Sequence, residues 1–325
     1  MAISSERQAV TSSPMLAAGG RSLPAGARKT ETFRRAKVPL EPYWFMAPAV
    51  IMLATVYLGP MIYAVMTSTT HWVLTEPGSE TISAGLENFK DVLGAPSFWQ
   101  AVKITLLYTL TSVTLSLTLG TLLALLLDNE LHYASFFRSI MLIPMVITPA
   151  VIAIFWKLLY EQEQGVLNSL LVALGFGKVA WLGLEHAFFA MVIMDSWQNT
   201  PFFMLVILAG LQSVDSNLMD AARVDGANAF QRFRHVVLPH LVPYMLIAAA
   251  FRGIATMNDF DKIWLLTQGG PGEATTTITV YTYKIAFSSF DMGRTTAIAL
   301  IFVVIVLIAS SPLLRHLFRT ARRPA

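Results

Sequence analysis

Cysteine is absent from the 325 residues, which excludes disulfide bridges and thiolate metal sites and leaves the redox compartment open. Charge is scarce: Asp, Glu, Lys and Arg make up 13% of the chain, about half the share of a soluble globular domain. With 55% hydrophobic residues beside so little charge, the composition is that of an integral membrane protein. A phosphate-binding loop is also missing. GFGKV, Gly175 to Val179, has a Gly-Lys pair but neither the upstream Gly nor the following Ser or Thr that such a loop requires, so the chain encodes no ATPase. His235 and His240 are five residues apart around Pro239, a poor spacing for a shared metal. The basic residues sit beside apolar runs and do not collect on one soluble face, so nucleic acid is not implied.

What is present is a series of apolar runs. A membrane helix needs about 20 such residues, and six runs qualify, near 44–69, 104–127, 137–160, 187–211, 241–265 and 295–314. Residues 1–43, rich in Ser, Ala, Arg and Lys, read as a flexible cytoplasmic tail. A cleaved signal is the competing reading, but the run from Trp44 to Thr70 is about twice a signal core. Residues 319–325 form a short basic tail. If the N-terminus is cytoplasmic, 15 of the 23 Lys and Arg fall on the inner side and 5 outside: Lys90, Lys178, Lys262, Lys284 and Arg294. The bias places both termini inside. Trp72, Trp99 and Trp181, in or beside the outer segments, suit interface anchors.

One inner segment is too polar and too patterned for a simple connector. LMDAARVDGANAFQRFRHVVLP, Leu218 to Pro239, lies between the fourth and fifth runs. Ser216 or Asn217 is placed to cap a first short helix, Gly226 to end it in a left-handed residue, and Asn228 to cap a second. The second helix is expected to stop at Leu238-Pro239. This DAARVDGA stretch, with LP twelve residues after Ala227, resembles the EAA loop of bacterial ABC importer permeases. LLTQGGP, Leu265 to Pro271, followed by a Thr-rich stretch and YKIAF, resembles the loop before the last span in the carbohydrate-uptake members related to the maltose transporter's larger membrane subunit.

The resemblance, over roughly residues 44–318, implies an all-α permease of the type I ABC importer fold: six membrane helices, both ends cytoplasmic, in a bacterial inner membrane. It implies a coupling loop over 214–240, with Asp220, Ala221, Ala222, Asp225 and Gly226 docking into a cytoplasmic ATPase. Asp220 stands where the family usually has Glu. The implied partners are a second permease subunit forming a heterodimer, two copies of the ATPase, an extracytoplasmic solute-binding protein and membrane lipid. ATP and Mg would belong to the ATPase, and no cofactor to this chain, which would be a transport subunit and no enzyme. An amphipathic helix lying on the membrane surface is the alternative for the loop, and an ion-gradient-driven carrier the alternative for the whole.

Charged residues inside a span are costly and face a cavity or each other. Asp195, Asn199 and Phe202 fall at i, i+4 and i+7 in the fourth run, and Arg252, Thr256 and Asp259 repeat that spacing in the fifth, so each helix offers one polar face. Alignment on the maltose-type permease lays both faces over the family's sugar-contacting positions. The expected solute is a sugar or sugar derivative, with Phe202 supplying an apolar ring face. Arg252 either recognises an anionic group, whose oxygens its fork matches, or pairs internally with Asp195 or Asp259.

Overall fold

The computed structural model of the chain describes residues 41–128 and 134–321. The tail expected over 1–43 lies outside them except for its last three residues, which already belong to the first helix, and residues 322–325 of the basic end lie outside as well. Among the described residues every regular element is helical, and the extended pairings are isolated bridges of Thr70 with Ser83 and Val73 with Asp291.

The described residues divide into two units, one ending at Met52 and one beginning at Leu53. The described part of the first unit belongs to α1 (Glu41–Leu53). The second opens with a π-helical turn, Ala54–Leu58, and α2 (Gly59–Ser68). Then follow α3 (Glu87–Gly94), α4 (Pro96–Asp128), α5 (Ala134–Val146), α6 (Pro149–Leu159), α7 (Val166–Ala173) and α8 (Ala187–Gln212). After α9 (Ser216–Val224) and α10 (Ala229–Arg232) comes a second π turn, Phe233–Val237, leading into α11 (Leu238–Met257). The chain closes with α12 (Asp261–Thr267), α13 (Ile278–Phe287) and α14 (Met292–Ala321).

Among the described residues, five stretches are long and apolar enough to cross a membrane: Trp44–Ser68, Pro96–Asp128, Ala187–Gln212, Ala229–Met257 and Met292–Pro312. The expected span 137–160 is instead a broken one, its two halves α5 and α6 turned by 96°. Pro144 stays inside α5, whereas Pro149 opens α6 and Thr148 before it is extended, with ψ at 144°. A residue preceding proline is driven out of the helical region, and here that breaks the span.

The expected span 241–265 needs correction at both ends. The helix does not stop at Leu238-Pro239 but runs from Ala229 to Met257. In a regular α-helix the proline ring collides with the carbonyl four residues back and removes a hydrogen bond. The π turn just ahead of Pro239 widens the helix and accommodates the ring. The same pairing recurs at Ala54–Leu58 ahead of Pro60. At its other end the helix closes at Met257, and the chain turns through Asn258 to Phe260 before α12.

The centre of the second unit is α4 against α8. At 1.5 Å per residue the 33 residues of α4 run about 50 Å. A buried stripe of Ser112, Ser116, Gly120 and Ala124 recurs every four residues along it, which brings α8 close. A Cβ on Gly120 would lie 2.6 Å from Phe203 Cβ and 2.8 Å from the Met204 nitrogen. Helix α11 packs on both α4 and α8, and α12 packs on α6. One apolar cluster joins Tyr108, Ile152, Trp156, Met191, Ile263 and Leu266. Another, around Leu127, Ile207, Leu211 and Leu241, sits at the opposite end of α8, beside the loop.

Candidate functional site

The two polar faces expected on the fourth and fifth runs meet. Arg252 Nη2 donates to Asp195 Oδ1 at 2.7 Å and to Asp259 Oδ2 at 3.2 Å. Asn199 Nδ2 donates to the same Asp195 Oδ1 at 2.9 Å. The internal pairing of Arg252 is therefore present, with both carboxylates at once. Asp259 does not lie on the helix as the i+7 spacing implied. It follows the end of α11, in the turn that Thr279 Oγ1 holds by donating to the Asp259 carbonyl at 2.8 Å.

A fourth charge completes the group, and sequence reading misplaced it. Lys262, counted above among the outer-segment cations, has a side chain only 2% exposed. Its Nζ contacts Asp195 Oδ1 and lies 2.7 Å from Asp259 Oδ2. The signal was its i, i+3 spacing from Asp259 across the α12 start; the partner on α8, 67 residues away, leaves no local trace. Two carboxylates and two cations thus form a quartet of zero net charge. Asp195 is 1% exposed, Arg252 13% and Asp259 17%. Burial of this kind is tolerable because each charge has opposite partners.

Polar atoms remain free around it. Asp195 Oδ2, Arg252 Nε and Thr256 Oγ1 are buried without a hydrogen-bond partner. Thr256 lies one turn along α11 from Arg252, with 1% exposure. Phe202 is not part of the group. It lies seven residues along α8, about 10 Å at the helical rise, its ring edge-on to Phe203 with centroids 5.5 Å apart.

The loop between α8 and α11 holds the second set of expected residues. Asp215, rather than Ser216 or Asn217, caps α9: its carboxylate accepts from the Asn217 nitrogen at 2.9 Å. The aspartate's two oxygens and its extended backbone, φ −64° and ψ 121°, suit the cap position. Gly226 is left-handed at φ 78°, and the Ala227 nitrogen closes on the Ala222 carbonyl at 3.0 Å, ending α9 as a left-handed residue does. Asn228 and Gln231 form a reciprocal capping box, with backbone-to-side-chain bonds of 2.8 and 2.9 Å.

No residue of α9 is buried. Asp220, Ala221, Asp225 and Gly226 are exposed and Ala222 half-buried; Asp220 pairs with Arg223 at 2.8 Å. Leu218 and Val224 are also exposed, at 58% and 88%. The loop is nevertheless fastened to the bundle. Met219 and Phe233 pack on the Leu211 and Leu241 cluster, and Ser213 Oγ bonds His240 Nε2 at 2.9 Å and Tyr244 OH at 3.0 Å. His235 and His240 thus turn to different partners, His235 Nδ1 to the Gln231 carbonyl, and among the described residues no cluster of His, Cys, Asp and Glu could hold a metal ion.

An exposed, capped helical elbow is thus fixed to a bundle of membrane-length helices. Residues 116–323 match the family model described as the binding-protein-dependent transport system inner membrane component. The chain belongs to that family. The permease is 52% identical to a probable ABC transporter permease of Sinorhizobium fredii, over 92% of this chain and 97% of the relative. It is 40% identical to the trehalose/maltose transport system permease of Thermococcus litoralis, over 69% of this chain and 76% of that one. Among solved structures, a bacterial alginate ABC transporter with its alginate pentasaccharide-bound periplasmic protein shares the fold, with a TM-score of 0.75 at 22% identity over 88% of this chain and 96% of its own. The permease is accordingly a multi-pass inner membrane transport subunit and not an enzyme, and membership of this family sets aside the ion-gradient carrier.

Proposed function

We propose that the permease is one of two unlike membrane subunits of an ATP-driven importer that carries a sugar or sugar derivative delivered by an extracytoplasmic binding protein. Two copies of a cytoplasmic ATPase, which bind the ATP and Mg, would complete the machine. The observation carrying this reading is the exposed elbow of α9 and α10 with its second arm continuous with a membrane helix: Ala229 to Met257 is one rod. A push on α9 by a closing ATPase pair reaches the quartet about 35 Å away along that rod, at 1.5 Å per residue from Ala229 to Arg252. The sugar assignment draws on the trehalose/maltose relative and on the hydroxyl and carboxylate groups of α8 and α11.

Gly226→Val is the test. The φ of 78° disfavours a β-branched residue, while the space around the position is open, with nothing within 4 Å of an added Cβ. Only the elbow's conformation is disturbed. In proteoliposomes holding the full complex, ATP hydrolysis is expected to continue while solute uptake falls at least tenfold. Uptake at the wild-type rate would sink the assignment of the loop.

A further inference from the structure

A cavity of about 430 Å³ opens where α2 ends, with Tyr63, Met66, Thr69, Thr70, Trp72 and Glu80 among its walls. The membrane-length stretch closes at Ser68, so the cavity lies where a bilayer passes from acyl chains to headgroups. It is at the end of the bundle away from the elbow. Leu127, at the far end of α4, packs with Leu211 and Leu241 beside the loop, which leaves the segment ahead of α4 at the other face. The walls are fixed in place. The Tyr63 and Trp72 rings stand at 87° with centroids 6.3 Å apart. The Trp72 carbonyl accepts from the Met292 and Gly293 nitrogens at 2.8 and 3.1 Å, which ties it to the start of α14. Ser79 Oγ accepts from the Val73 nitrogen at 3.1 Å and so holds the turn that carries Glu80.

These groups together suit a cation. The faces of Trp and Tyr rings attract an ammonium. Thr69 Oγ1 donates to the Met66 carbonyl at 2.8 Å and Thr70 Oγ1 to the Thr67 carbonyl at 2.9 Å. With their protons engaged, both hydroxyls offer a ligand only lone pairs. Glu80 adds a carboxylate, and among the described residues no Lys, Arg or His lines the cavity to offset it; the nearby His71 pairs with Glu87 at 3.1 Å. A primary ammonium, donating in three directions, can meet carboxylate, hydroxyl oxygen and ring face at once. Met66 and, one turn deeper along α2, Ile62 are exposed at 64% and 59%, so an apolar track leads from the cavity toward the membrane interior. A free amine has no use for that track, whereas an acyl chain does. We propose that the cavity binds the primary ammonium headgroup of a zwitterionic phospholipid whose acyl chains lie along Met66 and Ile62.

The test titrates the delipidated, purified transporter in detergent with phosphatidylethanolamine or phosphatidylglycerol and counts bound lipids by native mass spectrometry. The site is read as the difference between wild type and variants, with assembly checked in the same spectra. Glu80→Gln, at an exposed position, and Trp72→Leu should each raise the phosphatidylethanolamine concentration needed to retain one lipid by about fivefold. Tyr63→Phe keeps the ring and should bind as the wild type does, which leaves the proposal testable if Trp72→Leu does not assemble. Phosphatidylglycerol, which has no ammonium, should bind equally to all of them. Soluble ethanolamine at the same concentration should not displace the lipid. Phosphatidylethanolamine binding unchanged by Glu80→Gln, or a loss of phosphatidylglycerol as large as that of phosphatidylethanolamine, overturns the proposal. Displacement by ethanolamine alone would make this a site for a free amine and overturn the assignment to a lipid.

Discussion

At Gly120 the distance between two helices is set by one missing side chain. A Cβ there would meet Phe203 Cβ, the Met204 nitrogen and the Thr200 carbonyl within 2.9 Å, and two of the three are backbone atoms that have no rotamer to change. Gly120→Val should therefore push α8 from α4 and destabilise the permease by about 1–3 kcal/mol, the range for overpacked cores, seen as a lower transition temperature of the purified complex. The quartet allows a second prediction at the same scale. Arg252→Ala leaves Asp195 and Asp259 with Lys262 alone, and removing one partner of a buried pair costs about 3–5 kcal/mol. Thermal unfolding of that variant should show a larger loss than Gly120→Val gives, whereas an unshifted transition would mean that Arg252 does not hold these helices. Asp195 and Arg252 were legible as special because charge is rare inside spans. Lys262 was not, because hydropathy assigns a residue to a segment by its neighbours and cannot see that α12 folds back onto α6 and α8.

Among the elements, Pro144, Pro201 and Pro243 stay inside α-helices, and three further prolines divide into two kinds. Pro149 breaks its span because the residue before it is extended. Pro60 and Pro239 do not, each lying two residues beyond a π turn. From sequence all three look like the same stop signal. The distinction depends on whether flanking side chains pack well enough to hold a continuous helix, and Val237 and Leu241 on either side of Pro239 both belong to one buried cluster. The caps around Gly226 were legible because they depend on residues within a few positions of each other: Asn228 with Gln231, Ala222 with Ala227. Pro239→Ala restores the missing donor and removes the ring, so the ring no longer favours the π turn. If the helix then regularises, residues ahead of it rotate by about 100°, one residue's share of a 3.6-residue turn, and the elbow is re-aimed against its partner. More ATP should be hydrolysed per solute moved in proteoliposomes, with the assembled complex retained; an unchanged ratio would show that packing alone maintains the turn.

For the whole molecule, the chain order settles which parts share a side. Helix α8 and the rod from Ala229 to Met257 are joined by the elbow, so the elbow lies at one end of the bundle. Asp195 is 17 residues from the elbow end of α8, about 25 Å, and only 8 from the other end, about 12 Å. The quartet thus sits toward the face opposite the loop, where, on the proposed function, a solute released by a binding protein outside would arrive. Arrival at that face requires the loop to be cytoplasmic, which the distribution of Lys and Arg supports. The absence of cysteine makes this directly testable, since any thiol introduced is the only one. Asn217 is exposed at the start of α9 and Lys178 is exposed in the segment between α7 and α8. A membrane-impermeant maleimide added to intact spheroplasts should label the Lys178→Cys variant and leave Asn217→Cys untouched until the membrane is opened or inverted. Labelling in the reverse order would turn the molecule over. The elbow would then face away from any cytoplasmic ATPase, and the quartet would guard the exit and not the entrance of the path.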